Sequence, residues 1–271
     1  MRKTSLLLTA LGLGMSAWAV QVRAQSTTST TAAVVDARWK ESIDAFAAQD
    51  KLNAPRTGGV LFVGSSSIRM WSGLEDAFAS ANMPVLKRGF GGSRMLDCAQ
   101  YVDALVMPYK PRLVVVYAGD NDLAEGRTPQ QVLQSFTRFT EAVRAALPET
   151  RIAYLSIKPS PLRAALVPAI RETNGLISAY ARNTPNLDYI DVFSKMLDDS
   201  GKPRGELFLA DSLHLNAEGY ALWRNVINPH LLPAEGAPVQ ASVQGSAPAP
   251  LAPQPQAASL KTLVSTSAAS R

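Results

Sequence analysis

The chain has 271 residues, 46% apolar and 18% charged, the proportions of a globular protein with length for one ordinary domain plus extensions. Its formal charge of +5 overstates its basicity, because Arg2, Lys3 and Arg23 lie in an expected leader and removing those three from +5 leaves +2. The sequence has no Lys/Arg run of the kind that marks a nucleic-acid binder, and its one cysteine excludes an internal disulfide.

At the N-terminus, Arg2 and Lys3 precede an apolar run from Leu6 to Met15, with small-residue patterns at Ala17-Trp18-Ala19 and Val22-Arg23-Ala24. A charged start, a short apolar stretch and an A-x-A-like site form the pattern of a secretory signal peptide, 1–24, with cleavage expected after Ala24. The run is short for a bilayer span, and no Cys near the cleavage site offers a lipid anchor. The expected location is therefore periplasmic or secreted, with no integral membrane segment after signal removal. Residues 25–35, rich in Ser, Thr and Ala, read as a flexible linker, and 36–232 as one folded domain.

Helical patterning begins at Arg38–Gln49. Val60-Leu61-Phe62-Val63 reads as a strand buried on both faces; Gly64-Ser65-Ser66-Ser67 follows it, and Ile68-Arg69-Met70-Trp71 opens a helix. Val85-Leu86 is a weaker strand, followed by Gly89-Phe90-Gly91-Gly92-Ser93 and a helix over Arg94–Met107. Cys98 in that helix reads as a small buried hydrophobe rather than a nucleophile. Leu113-Val114-Val115-Val116-Tyr117 is the next strand, leading to Ala118-Gly119-Asp120-Asn121-Asp122 and a helix over Pro129–Ala146. Ile152-Ala153-Tyr154-Leu155 and the weaker Tyr189-Ile190-Asp191-Val192 complete the strands, with a helix over Arg163–Arg182 between them. Asp211-Ser212-Leu213-His214 precedes a last helix, Ala217–Leu231, for which Asn216 is the expected cap. Residues 233–271, rich in Ala, Pro and Ser and almost uncharged, hold too few large apolar groups to offset their ordering entropy and read as a disordered tail.

Near-continuous apolar strands alternating with helices predict a three-layer α/β/α sandwich around a parallel sheet of about five strands, flavodoxin-like in its layering. Ligands of such sheets bind outside the carboxyl ends of the strands, so the four small or polar loops are expected along one rim.

A hydroxyl attacks an ester only when a neighbouring base takes its proton, and histidine suits that task near neutral pH. The chain has two histidines. His230, between Pro229 and Leu231, reads as a helix-terminal or surface residue. His214 has Asp211 three residues earlier, a spacing that lets a tight turn bring the carboxylate to Nδ1 and fix the tautomer. Ser66 lies between a buried strand and a helix start, where helix-end N–H groups can face an oxyanion. Taken singly, Asp-x-x-His is an ordinary polar loop and Ser65, Ser66 and Ser67 serve equally well as helix caps.

Four short blocks, in order and over nearly all the folded unit, resemble those of the SGNH hydrolases, also called GDSL esterases and lipases. Val63-Gly64-Ser65-Ser66 is similar to the nucleophile block, Gly91-Gly92-Ser93 to the glycine block, Gly119-Asp120-Asn121-Asp122 to the G-x-N-D block and Asp211-Ser212-Leu213-His214 to the D-x-x-H block. The resemblance implies Ser66 as nucleophile, His214 as its base oriented by Asp211, and an oxyanion hole from the N–H groups of Ser66 and Gly92 and the Asn121 side chain. Gly91 remains the alternative to Gly92. The family's usual Asp before the nucleophile is Ser65 here, which leaves the mechanism intact and changes the hydrogen bonding around it.

Other chemistries fit poorly. Ile68 breaks G-x-S-x-G around Ser66, Arg94 breaks G-x-G-x-x-G, and no Walker A sequence is present. Two histidines and one cysteine do not make a metal site, and Leu123-Ala124-Glu125-Gly126 breaks EF-hand spacing after Asp122. No cofactor is expected. The implied activity is hydrolysis of an acyl or O-acetyl ester of a small molecule, lipid or glycan through an acyl-serine. The alternatives are a carbohydrate O-acyltransferase with the same triad and a catalytically inactive glycan-binding module. Met70, Trp71 and Phe90 are candidates for lining a substrate pocket or for core packing.

Overall fold

The computed structural model describes residues 37–80 and 83–231, so the leader at 1–24, the linker at 25–35 and the tail at 233–271 lie outside the described residues. Five strands, β1 (Val60–Gly64), β2 (Val85–Gly89), β3 (Leu113–Tyr117), β4 (Arg151–Leu155) and β5 (Leu187–Ile190), form one parallel sheet in the order β2-β1-β3-β4-β5. β1 and β3 are buried along their whole length, as strands covered on both faces must be, which accounts for their unbroken apolar sequence.

Side chains alternate across the sheet and build two cores. Leu61, Val63, Val114, Val116, Ile152 and Tyr154 pack with α1 (Lys40–Leu52), α4 (Met95–Gln100), α5 (Val102–Leu105), α7 (Pro129–Ala146) and α8 (Val167–Arg182). Val60, Phe62, Val115, Tyr117, Ala153 and Leu155 pack with α2 (Ser66–Arg69), α3 (Leu74–Phe78) and α9 (Ala217–Ile227), where Trp223 and Ile227 are fully buried. A short α6 (Asp120–Ala124) follows β3. The result is the three-layer sandwich expected from the sequence.

The chain runs from β1 outward to β2 and then returns to the other side of β1 for β3, so strand order reverses there. Gly64 ends β1 at that point, opposite Gly89 on one side and Tyr117 on the other. A Cβ on Gly64 would lie 1.9 Å from the Tyr117 carbonyl oxygen, so the close approach of β1 and β3 requires glycine.

Several elements differ from expectation for local reasons. The helix expected over Arg94–Met107 divides at Tyr101 into α4 and α5 and ends in a 3-10 turn, Met107–Tyr109. The helix expected from Arg163 begins at Val167, because Pro161–Leu166 forms a 3-10 turn in which Arg163 has non-helical φ/ψ. α9 stops at Ile227, before a 3-10 turn that holds Pro229, which has no N–H to continue an α-helix. β5 ends at Ile190 rather than Val192, because the N–H groups of Val192 and Phe193 donate to the Ser156 hydroxyl at 3.0 and 2.9 Å.

Candidate active site

Ser66 opens α2 immediately beyond β1. Ser65 N–H still pairs with Tyr117 O at 3.0 Å, and the Ser65 carbonyl then accepts from Ile68 and Arg69, both at 3.0 Å, which turns the strand into the helix. Ser65 occupies the cap position, yet its hydroxyl is buried and makes no cap hydrogen bond. The Ser66 hydroxyl, half-buried, points elsewhere: its Oγ is 3.0 Å from His214 Nε2.

His214 is delivered by a self-contained turn before α9. The Asp211 carboxylate accepts the N–H groups of Leu213 at 3.0 Å and His214 at 2.9 Å through Oδ1, while Oδ2 meets His214 Nδ1 at 2.7 Å. Ser212 closes the turn in the left-handed region, φ 56°. The hydrogen bond from the His214 ring, helped by the two backbone N–H groups, pushes Asp211 down to about 2. An ionised carboxylate can only accept, so Nδ1 carries the proton and Nε2 is left to accept from the Ser66 hydroxyl. Asn216 caps α9 as expected, its Oδ1 accepting from Gly219 N–H at 3.0 Å.

The glycine loop and the β3 loop meet beside this pair. Gly92 has φ 84°, a conformation that glycine adopts freely, and Asn121 Nδ2 donates to the carbonyl of Ser93 at 3.0 Å. Gly91 packs under the Arg69 guanidinium, where a Cβ would lie 2.6 Å from Nε. Asp122 is buried and holds the start of α4 through Met95 N–H at 2.8 Å; burial pushes its carboxyl up to about 6. Asp120 behaves oppositely. Burial favours its neutral form, but Lys158 and Arg163 outweigh that and hold its carboxyl below the ordinary value.

Two residues outside the four sequence blocks lie behind this rim, just beyond β4. Lys158 is buried, with Nζ 3.0 Å from Asp120 Oδ2 and 3.1 Å from the Tyr117 hydroxyl. Arg163 NH1 lies 3.1 Å from the same Asp120 oxygen, and its NH2 donates to Asn121 Oδ1 at 2.9 Å. Sequence reasoning missed both, although a signal was available: the loop after β4 meets the same rim as the loops after β1, β2 and β3.

Among the other candidates, His230 lies beside Leu231, whose carbonyl accepts from Arg112 just before β3, at the amino ends of the strands and so at the end of the sheet opposite Ser66. Cys98 is buried, and desolvation raises its thiol far above its ordinary value. Trp71 and Phe90 belong to the cores. Met70 is 38% exposed, as are Leu162 at 63% and Leu209 at 43%. All three are close to the Ser66–His214 pair in the hydrogen-bond network. Met70 N–H donates to Ser66 O, Leu209 N–H to His214 O, and Leu162 N–H to Ser212 O. Among the described residues no group of three or more His, Cys, Asp or Glu side chains could hold a metal ion, and no helix is long and apolar enough to cross a membrane.

The model of the GDSL-like Lipase/Acylhydrolase family matches residues 59–222, which include every strand and all four loops of the site. The chain belongs to this family. Solved structures of similar fold include a GDSL-like lipase from Bacteroides thetaiotaomicron, 21% identical with TM-score 0.59 over 70% of this chain and 96% of that one. A carbohydrate esterase family 3 protein from Talaromyces cellulolyticus is 20% identical, TM-score 0.51, over 65% and 96% of the two chains. An acetyl esterase, solved as a mutant with acetate ion, is 21% identical, TM-score 0.51, over the same shares. Comparison with the curated proteins finds no match. At these identities the structural likenesses establish the fold that this GDSL-like chain adopts.

Proposed function

We propose that the chain is an exported serine esterase that cleaves a carboxylic ester through an acyl-Ser66 intermediate. The observation that carries the reading is the continuous line from Ser66 Oγ to His214 Nε2 at 3.0 Å and from His214 Nδ1 to Asp211 Oδ2 at 2.7 Å. His214 takes the Ser66 proton as Oγ bonds to the ester carbonyl carbon, and the carbonyl oxygen becomes an alkoxide. The N–H groups of Ser66 and Gly92 and the second N–H of the Asn121 amide face that charge. The imidazolium then protonates the departing alcohol, the C–O bond breaks, and water repeats the sequence to release the acid and restore Ser66. Asp211, held near 2, stays ionised throughout.

Met70, Leu162 and Leu209, exposed apolar side chains on segments whose backbones bond to those of Ser66, His214 and Ser212, are the residues offered for contact with an acyl group. The acetyl and carbohydrate esterases of like fold, together with the N-terminal leader pattern, favour O-acetyl esters of extracellular or envelope glycans within that class. The test is turnover of p-nitrophenyl acetate, longer p-nitrophenyl esters and acetylated glycans by the chain lacking residues 1–24. Ser66→Ala and His214→Ala are each expected to cut kcat by about 10⁶-fold while folding is kept. Unchanged activity in either variant refutes the mechanism.

A further inference from the structure

Arginine has donors and no acceptor, so an asparagine amide beside it can present only its oxygen. Arg163 NH2 holds Asn121 Oδ1 at 2.9 Å, and Ser93 O takes one Asn121 N–H at 3.0 Å from the other end. These two contacts decide which end of the amide faces the rim. The same guanidinium is anchored by Asp120, the residue before Asn121, and Asp120 is also paired with Lys158. Two cations thus meet one carboxylate, leaving an excess positive charge immediately behind Asn121. The Arg163 side chain is only 16% exposed, so water screens that charge weakly. The neighbouring residue of the turn, Leu162, donates its N–H to Ser212 O in the His214 turn at 3.0 Å. One short turn therefore touches both the amide and the segment that carries the imidazole.

We propose that Arg163 is a positioning residue for ester cleavage at Ser66: it locks the Asn121 amide with N–H toward the developing oxyanion and polarises that N–H with uncompensated positive charge. The proposal rests on the esterase reading above. It requires Arg163 to act through Asn121, and that requirement makes it testable by a double-mutant cycle.

The variants are Arg163→Ala, Asn121→Ala and the double variant, assayed for kcat and KM on p-nitrophenyl acetate, with Tm as the folding control. Loss of an oxyanion donor costs about 10²–10³-fold in kcat, and Arg163→Ala is expected to cost about 10–100-fold with KM changed less than about twofold. In the Asn121→Ala background the Arg163 change is expected to add nothing. An equal kcat loss in both backgrounds, or no loss in the folded single variant, overturns the proposal. Should Arg163→Ala not fold, Arg163→Lys takes its place in the same cycle. It retains a charge for Asp120, lacks the planar fork that reaches both partners, and is judged by the same outcomes. A Ser66→Ala control separates the two readings. Activity surviving in that control defeats the nucleophile assignment, whereas equal losses in both backgrounds of a Ser66-dependent enzyme defeat the Arg163 proposal alone.

Discussion

Replacing Asp211 tests the geometry of the His214 turn more sharply than deleting the nucleophile does. Asp211 performs two tasks at once: Oδ1 is pinned by the backbone N–H groups of Leu213 and His214, and Oδ2 accepts from Nδ1. In Asp211→Asn the amide oxygen must stay with the two backbone donors, so the NH2 group is forced against Nδ1. That removes the Nδ1 proton, moves it to Nε2, and leaves the ring donating toward Ser66 when it needs to accept. In Asp211→Ala the ring is free, and water reaches Nδ1 because the Asp211 side chain is 47% exposed. Alanine loses the two backbone contacts along with the charge, and it is the loss of charge that can be sized. Two unit charges at about 4 Å attract by about 4 kcal/mol at an effective dielectric of 20 and about 1 kcal/mol in bulk water. The exposure of Asp211 sets the alanine loss between those limits, about fivefold to a thousandfold in kcat. The asparagine variant is expected to be slower than the alanine variant, although it is the closer isostere. Steady-state kcat on p-nitrophenyl acetate from pH 6 to 9, with Tm as control, decides it. An asparagine variant as fast as the alanine variant refutes the tautomer argument.

Three further outcomes are expected from the same geometry. Asp122, with its carboxyl raised to about 6 in the folded chain against an ordinary 3.8, favours folding fully below about 4, and that contribution is lost as pH rises through 6. Asp122→Asn keeps an acceptor for Met95 N–H without ionising. Its urea midpoint should therefore gain on the parent between pH 4.5 and 7.5, by at most about 3 kcal/mol in stability; a shrinking gap contradicts this. Gly64→Ala forces a Cβ to 1.9 Å from Tyr117 O, so a loss above about 4 kcal/mol is expected, read as absence of a cooperative thermal transition; a normally folded alanine variant contradicts it. Leu162→Ser combined with Leu209→Ser should lower kcat/KM for p-nitrophenyl hexanoate relative to acetate by about tenfold, the effect of leaving about two of the longer acyl group's extra methylenes in water at about 0.8 kcal/mol each; an unchanged ratio removes these residues from acyl binding.

The strands were legible where burial on both faces left the sequence no choice. The apolar runs at Val60–Gly64 and Leu113–Tyr117 could be nothing else, and four polar loops followed from the rule that places ligands at one rim. Boundaries set by single side-chain hydrogen bonds were not legible. The Ser156 hydroxyl takes the two N–H groups that would have extended β5, and nothing in the run Tyr189–Val192 announces it. Trp71, Phe90 and Met70 could not be sorted by type, because an aromatic ring in a core and one in a pocket are the same residue in sequence; only Met70 faces outward. Lys158 and Arg163 were missed because their residue types suggest solvent, whereas the fold turns them inward onto Asp120.

The two contacts of the Ser66–His214–Asp211 line differ greatly in reach. Asp211 and His214 are three residues apart, while His214 and Ser66 are separated by 148. The first contact asks the chain to close a single turn; the second asks five strands to pair and the last helix to dock before it exists. Until the chain has folded that far, the Ser66 hydroxyl has no imidazole beside it. On the mechanism proposed above, activity therefore waits for a contact that only the folded domain supplies.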